Sequence, residues 1–481
     1  MRDIIAGFTA EGLAAIGGQD SSSWDSWVRA RDTEIRRRVD RGFEDSISNF
    51  SLYGTSFTTL PRLESYEAAL TADSELSEAA RARVHALVTA LERPAVPSGA
   101  VPPVAQHAGA VGATMSRGAA SRNERLDLVR EFLRKQLVAQ SSGLQELCGS
   151  SSIGPLKPVA EFPKSGNSAL PCSSPAVEAY FRENLRRFIQ EQRGYQENLQ
   201  ASTRAGDPGE LLLRRGTLFA KRGLSADTSL LPNWGLEDTL AALVRKGVLR
   251  PGSIRSIAVI GPGMDFVDKR DGYDFYPLQT VQPFALLEAV ARLGLARPED
   301  VQVVAFDLNS AVLAHLARLS QEARRGRPYI VQLPRDSRTG WKQNALAYWE
   351  HFGNLLGSTS PPLPVPSGLS GVVSRAVAIR PQVAARVRAV DLDVVAQTLD
   401  SQPGDGFDLV VATNVLVYYD LFQQALAMAS VAHMMNPQGL FLVNHALSSQ
   451  HPPSLEYLGR RSIAYSENGE FGDDVVVYKR R

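Results

Sequence analysis

Cysteine is nearly absent: Cys148 and Cys172 are the only two in 481 residues. Both sit in Ser/Gly/Pro-rich surroundings without metal-ligand spacing, which excludes a disulfide framework and a cysteine-rich zinc site. A reducing compartment fits this usage, with the option that the single pair bonds to itself. A surplus of either charge sign is also missing, since 52 Lys and Arg face 51 Asp and Glu for a net charge of +1. The two signs are interspersed, so no broad footprint for nucleic acid or an anionic membrane is present. The densest basic run, Arg36-Arg37-Arg38 with Arg41 close by, reads as a solvated helix face before it reads as a phosphate patch. No run of about 18 consecutive apolar residues occurs, so no membrane-spanning helix is expected. The segment Met1–Gly18 lacks the basic start and long apolar stretch of a signal peptide, and Asp3 and Glu11 interrupt it. The expectation is a soluble, cytoplasmic protein. Seven histidines are scattered without trustworthy i, i+4 ligand spacing, so no metal is expected. No GxSxG elbow and no Walker loop occur.

What is present is ordinary globular composition, 44% hydrophobic, enough for a large core. The chain divides by character. Residues 1–93 form an N-terminal helical region, with Trp24, Trp27, Val28, Ile35 and Val39 at helical spacing. Within it, Phe50–Phe57 reads as a loop or short strand before Pro61. Residues 94–121, rich in Ala, Pro, Gly and Val, read as a linker or flexible loop. Residues 122–224 form a second helical region, either a cap over a pocket or a partner-binding domain. From 225 to 481, β-branched strands alternate with helical patterns. Strands are expected at Ile254–Ile260, Val301–Phe306, Val387–Val390, Phe407–Ala412, Gly439–Asn444 and Asp474–Tyr478. Such alternation argues an α/β fold: a Rossmann-like doubly wound, mostly parallel sheet, with a mainly α-helical N-terminal region. A sheet of this kind binds ligands at the carboxyl ends of its strands.

Four segments carry chemistry. Ile257–Ile260 runs into Gly261-Pro-Gly263-Met-Asp265, where glycine permits a tight turn and a close approach to backbone. Val303–Phe306 runs into Asp307-Leu308-Asn309. That acid is placed either to accept two ribose hydroxyls or to cap the following helix. Phe407–Ala412 ends in Thr413-Asn414, followed by Tyr418-Tyr419. Asn436-Pro-Gln-Gly439 precedes the apolar run to Val443.

In this order the segments resemble class I S-adenosylmethionine-dependent methyltransferases, and the segment from Asn414 to Asp420 is similar to that of chemotaxis-receptor methyltransferases. The resemblance covers roughly 225–481. It implies S-adenosylmethionine as cofactor and methyl transfer to an acceptor of unknown identity, small molecule or protein. Gly261 and Gly263 match the glycine loop. Asp307, with Leu308, matches the ribose-holding position. Asp393 and Val394 match the pair that meets adenine. Asn414 matches the strand end at the methionine moiety, with Tyr418 and Tyr419 bordering the reacting end. The family's acid two residues before the first loop glycine is Val259 here, and the third loop glycine is Asp265. The Asp265 carboxylate then either serves the methionine amino group or faces solvent.

Two insertions stand out. The first, about 267–279, brings Tyr273, Phe275 and Tyr276 to the ligand side, either as a substrate wall or as packing for the loop. The second, about 326–386, holds a helix with Trp349 and Phe352 on one face, read as core, and a surface-loop tract at 357–370. His445 follows the fifth strand, as an exposed loop residue or as a base near the transferred methyl. Two rival functions are a methyltransferase-like binding or scaffold protein without turnover and a nicotinamide-dependent oxidoreductase. The latter expects a third glycine and an acid about 20 residues on, and this chain has neither.

Overall fold

The structure, a computed structural model, describes residues 21–93, 123–138, 143–148, 170, 172–205, 222–268, 272–399, 406–444, 452–469 and 471–481. The linker expected at 94–121 and His445 lie outside the described residues. Two compact units are present, Met1–Ser46 with Gln192–Arg481, and Ile47–Glu191.

The larger unit is built on a seven-stranded sheet. Its strands are β1 (Ser256–Ile260), β2 (Gln302–Asp307), β6 (Val387–Asp391), β7 (Phe407–Ala412), β8 (Met435–Val443), β9 (Leu455–Ala464) and β10 (Gly472–Arg480). The spatial order is β6-β2-β1-β7-β8-β10-β9. The first five run parallel, and β10 pairs antiparallel with both β8 and β9. This is a doubly wound Rossmann-like sheet, reversing direction of winding between β1 and β7, and closed at one edge by a hairpin. The central strands β1 and β7 are almost wholly buried, because helices cover both faces of a parallel sheet and each residue must be apolar. Trp24 and Ile35, from the helix Ser21–Tyr53, join the same buried cluster as Ile260, Phe306, Val410 and Val443.

Inserted between β2 and β6 is a second sheet of β3 (Tyr329–Asp336), β4 (Gly357–Ser360) and β5 (Val372–Ile379), antiparallel in the order β3-β5-β4. The helix Gln343–His351 follows β3, and Trp349 and Phe352 are buried at 6% and 0% exposure, as core. Of the tract read as a surface loop at 357–370, only the first four residues depart from expectation, forming β4 because pairing with β5 satisfies their backbone, while 361–370 are a largely exposed loop.

The smaller unit carries the helices Glu78–Glu92, Glu124–Val138, Gly143–Cys148 and the first part of Ser174–Ala205. At its centre Arg83, 1% exposed, donates to the carbonyls of Ser51, Gly54, Leu60 and Pro61. The two cysteines take up the option left open by their number: Cys148 and Cys172 form a disulfide. The segment Phe50–Phe57 departs from expectation. The helix Ser21–Tyr53 continues to Tyr53, since Phe50 and Leu52 are fully buried on it, and the loop begins only at Gly54. No described helix is long and apolar enough to cross a membrane, and no metal-binding cluster occurs among the described residues.

Candidate ligand-binding site

A cleft opens at the carboxyl ends of β1, β2, β6 and β7, at the switch in strand order. Its floor is Ile260, Gly261 and Gly263 after β1, Phe306 to Asn309 after β2, Leu392 and Val394 after β6, and Thr413 to Val415 after β7. Tyr418 and Tyr419 close one side. The roof comes from Val39, part of the apolar stripe of the helix Ser21–Tyr53, and from residues that the sequence pattern did not single out, the strap Leu224 to Ser229 with Pro232 and Asn233.

The glycine turn is required by geometry. Gly261 and Gly263 have φ of +64° and +65°, where side-chain-bearing residues are strained. A Cβ on Gly263 would lie 2.1 Å from Thr228 Cγ2 and 2.5 Å from the Ala226 carbonyl oxygen. The close approach expected of a ligand is thus made, at Gly263, by the chain's own strap. Met264 N–H donates to that Ala226 carbonyl at 2.8 Å, which fastens the strap over the turn.

Asp307 sits at the mouth of β2 as a half-buried cleft residue. Its Oδ1 accepts the Asn309 N–H at 2.8 Å, and the N–H groups of Leu308 and Gly263 also favour its charged form. It does not cap the following helix. Asn309 does, accepting from Ala311 N–H at 2.9 Å. The carboxylate is therefore drawn toward the glycine turn. Burial nevertheless pushes its pKa up to about 6, the backbone donors only partly opposing this.

Asp393 lies beneath the floor, 0% exposed, and does not line the cleft, whereas its neighbour Val394 does. Its Oδ1 accepts the Val395 N–H, its Oδ2 meets no donor among the described residues, and burial raises its pKa to about 6. Asp265 is outside the cleft as well. Its two carboxylate oxygens accept from Thr228 Oγ1 and from Gln279 Nε2, which ties strap, glycine turn and insertion together. Tyr273 and Tyr276 are each 3% exposed, stack edge-on through Phe275, and take no part in the cleft lining, so this aromatic run packs its own loop.

Asn414 holds a φ of +56°, a backbone state that costs about 1–3 kcal/mol in a non-glycine residue. Asn444, at the end of β8, stabilises it. Asn414 N–H donates to Asn444 Oδ1 at 2.7 Å, and Asn444 Nδ2 donates back to Asn414 Oδ1 at 2.6 Å. The signal for Asn444 was its position, the residue after a buried strand that neighbours β7.

The basic run is also reassigned. Arg36 pairs with Asp391 at the end of β6 and with Asp32, while Arg38 is 7% exposed and donates to the carbonyls of Tyr418 and Arg222. Arg38 and the partly buried Arg36 pin the roof to the strand ends, while Arg37 remains on the solvated face.

No family model matches the chain, and no curated protein matches it in sequence. Among solved structures it is similar to the N-methyltransferase NodS from Bradyrhizobium japonicum WM9, at 10% identity and a TM-score of 0.26, over 52% of this chain and 97% of that one. It is similar to magnesium protoporphyrin IX methyltransferase from Synechocystis PCC 6803 with bound SAM, at 11% identity and a TM-score of 0.25, over 59% and 97%. It is likewise similar to the cyclase SpnF, at 10% identity and a TM-score of 0.25, over 50% and 80%. Overlaps of this size add nothing to the strand order. That order, with its antiparallel hairpin edge, is what makes the fold a Rossmann-like doubly wound, mostly parallel α/β sheet.

Proposed function

We propose that the cleft binds S-adenosylmethionine and that the chain transfers its methyl group to an acceptor. The observation that carries this reading is Asp307. A carboxylate stands at the end of the second parallel strand, inside a cleft, beside a two-glycine turn. A vicinal diol presents two donors, and a carboxylate accepts both. Adenine would lie between Leu392 and Val394 on one side and the strap on the other. Of the pair that the resemblance assigns to adenine, Val394 lines that end, whereas Asp393 lies buried beneath the floor. Asn414, Tyr418 and Tyr419 would border the reacting end. The sulfonium of the bound cofactor supplies an electrophilic methyl group, so the chain's task is alignment and exclusion of water. Titrating S-adenosylmethionine calorimetrically into wild type and Asp307→Ala tests the assignment. Equal heats and affinities in the two would reject it.

A second reading, a nucleoside-binding protein without turnover, draws on one observation. Val259 is fully buried in β1 where the family places an acid, and Asp265 is committed elsewhere. Conversion of S-adenosylmethionine to S-adenosylhomocysteine in the presence of cell extract separates the two readings.

A further inference from the structure

Two hydrogen-bonded bridges run from the inserted sheet to the strap over the cleft, one through Gln279 and one through Thr280. These residues are 3% and 0% exposed and precede the helix Gln282–Arg292. In the first bridge, Gln279 presents its carboxamide to the outer edge of β3. Its Oε1 accepts the Gln332 N–H at 2.8 Å, and its Nε2 donates to the Gln332 carbonyl at 2.8 Å. Nε2 also donates to Asp265 Oδ2 at 2.9 Å, and Asp265 Oδ1 accepts the Thr228 hydroxyl on the strap. In the second bridge, the Thr280 N–H donates to the Tyr329 hydroxyl on β3 at 2.8 Å, and Thr280 Oγ1 donates to the Gly263 carbonyl at 2.9 Å. The same peptide group gives its N–H, on Met264, to the Ala226 carbonyl of the strap at 2.8 Å.

The bridges therefore grip the strap at Ala226 and at Thr228, on either side of Asp227, while Gln279, Thr280, Tyr329 and Gln332 stay out of the cleft lining. Among side chains of this length only a carboxamide accepts and also donates twice. Glutamate would lose both donors and bring a second carboxylate to Asp265. Removing one partner from a buried pair leaves the other unsatisfied, so the strap has one favoured path while the inserted sheet holds its side. We infer that Gln279 and Thr280 are positioning residues, through which the inserted sheet sets the strap over the cleft. The effect on binding rests on the proposed nucleoside reading, whereas the effect on the strap is readable without any ligand.

Calorimetry with 5′-methylthioadenosine is compared in wild type, Tyr329→Phe, Gln279→Met, Thr280→Val and Thr280→Ser. Amide hydrogen exchange at Met264, whose N–H is freed when Ala226 withdraws, is followed in the same ligand-free proteins. In Tyr329→Phe, Gln279→Met and Thr280→Val, affinity should fall and Met264 exchange should quicken, each about fivefold, the worth of one net hydrogen bond. Thr280→Ser keeps the hydroxyl and should match wild type in both. Thr228→Val combined with Gln279→Met should weaken binding no more than either change alone, since both act through Asp265. Tyr329→Phe deletes a single oxygen and keeps its ring against Phe284, so it carries the test if a Gln279 variant fails to fold. Equal affinities in wild type and these variants overturn the inference, because a merely structural role leaves the affinity of the folded protein unchanged. If wild type does not bind 5′-methylthioadenosine, the nucleoside reading has failed and exchange alone decides. Quickened Met264 exchange then upholds the positioning role, and unchanged exchange overturns it.

Discussion

Nucleoside affinity should fall about tenfold as the pH drops from 7.5 to 5, and Asp307 should be the cause. A diol hydrogen-bonds the ionised carboxylate better than the acid. With its pKa pushed up to about 6 by burial, Asp307 is about 97% ionised at pH 7.5 and about 9% at pH 5, so the competent fraction changes about tenfold, or ~1.4 kcal/mol. The suitable ligand is 5′-methylthioadenosine, whose lack of ammonium and carboxylate keeps its own titration out of the range. Calorimetric affinities at five pH values give the slope. Asp307→Asn should bind more weakly at pH 7.5, by roughly 1.5–3 kcal/mol for a hydrogen bond to a charged group lost, and with little pH dependence. Equal wild-type affinities at pH 5 and 7.5, or an undiminished slope in Asp307→Asn, would refute the reasoning.

The same group makes a stability prediction of opposite sign. Its folded pKa lies above the ordinary aspartate value of 3.8. The folded state therefore holds the proton more tightly than the unfolded chain, and the associated stability is present below about pH 4 and lost as pH rises through about 6. At pH 7.5 the ionised carboxylate then burdens the ligand-free protein by up to ~3 kcal/mol. Asp307→Asn should unfold at a higher temperature than wild type at pH 7.5, with the gap closing near pH 4. A residue that weakens the empty fold and strengthens the complex is expected at a binding site.

Gly42→Ala and Gly223→Ala should each lower the thermal midpoint and weaken nucleoside binding. A Cβ at Gly42 falls 2.0 Å from the Leu224 carbonyl oxygen, and one at Gly223 falls 2.3 Å from Gly42 N, a clash of the added carbon with backbone worth about 1–3 kcal/mol. Asn444→Ala should cost about 1–3 kcal/mol by leaving Asn414 in its left-handed conformation without either hydrogen bond, read by denaturant unfolding. Arg83→Met strips four carbonyls of their donor and should destabilise the unit Ile47–Glu191 by at least about 3 kcal/mol, detected as early proteolysis within it. Reducing Cys148–Cys172 should cost the same unit about 2–4 kcal/mol, measured by thermal unfolding with and without reductant.

The strands of the central sheet were legible because each is buried on both faces. Ile257–Ile260, Val303–Phe306 and Phe407–Ala412 have to be continuously apolar, and no other element of that length reads so. The strand β9 was not legible. Its sequence, Leu455 to Ala464, includes Glu456, Arg460 and Arg461, and pairing with β10 along its length organises it. β5 escaped notice for the same reason, since it stabilises the insertion only by holding β3 and β4 on either side. The floor of the cleft followed from the strand ends: Gly261 and Asp307 stood out by pattern, and the family resemblance added Val394 and Asn414. The aromatics of 273–276 could not be placed by type, because the same rings suit a substrate wall and a packed loop.

The strap of the roof had no local signature, and the reason is geometric. The helix Ser21–Tyr53 and the strap meet where Gly42 and Gly223 cross with no room for a side chain on either. Each glycine, seen alone, is an unremarked residue; only the contact of two segments far apart in sequence explains both. The crossing brings Val39 over the cleft, and Leu224 N–H donates to the Arg38 carbonyl at 2.9 Å, so the strap's path is set by helix backbone rather than by side chains. From that path follow the positions of Ala226 against Gly263, of Thr228 against Asp265, and of Asp227 on the cleft wall. The parallel sheet thus supplies one carboxylate, Asp307, and the chain far upstream supplies the other, Asp227. The two acids on the cleft answer to different parts of the fold, one to a strand end and one to the path of the strap.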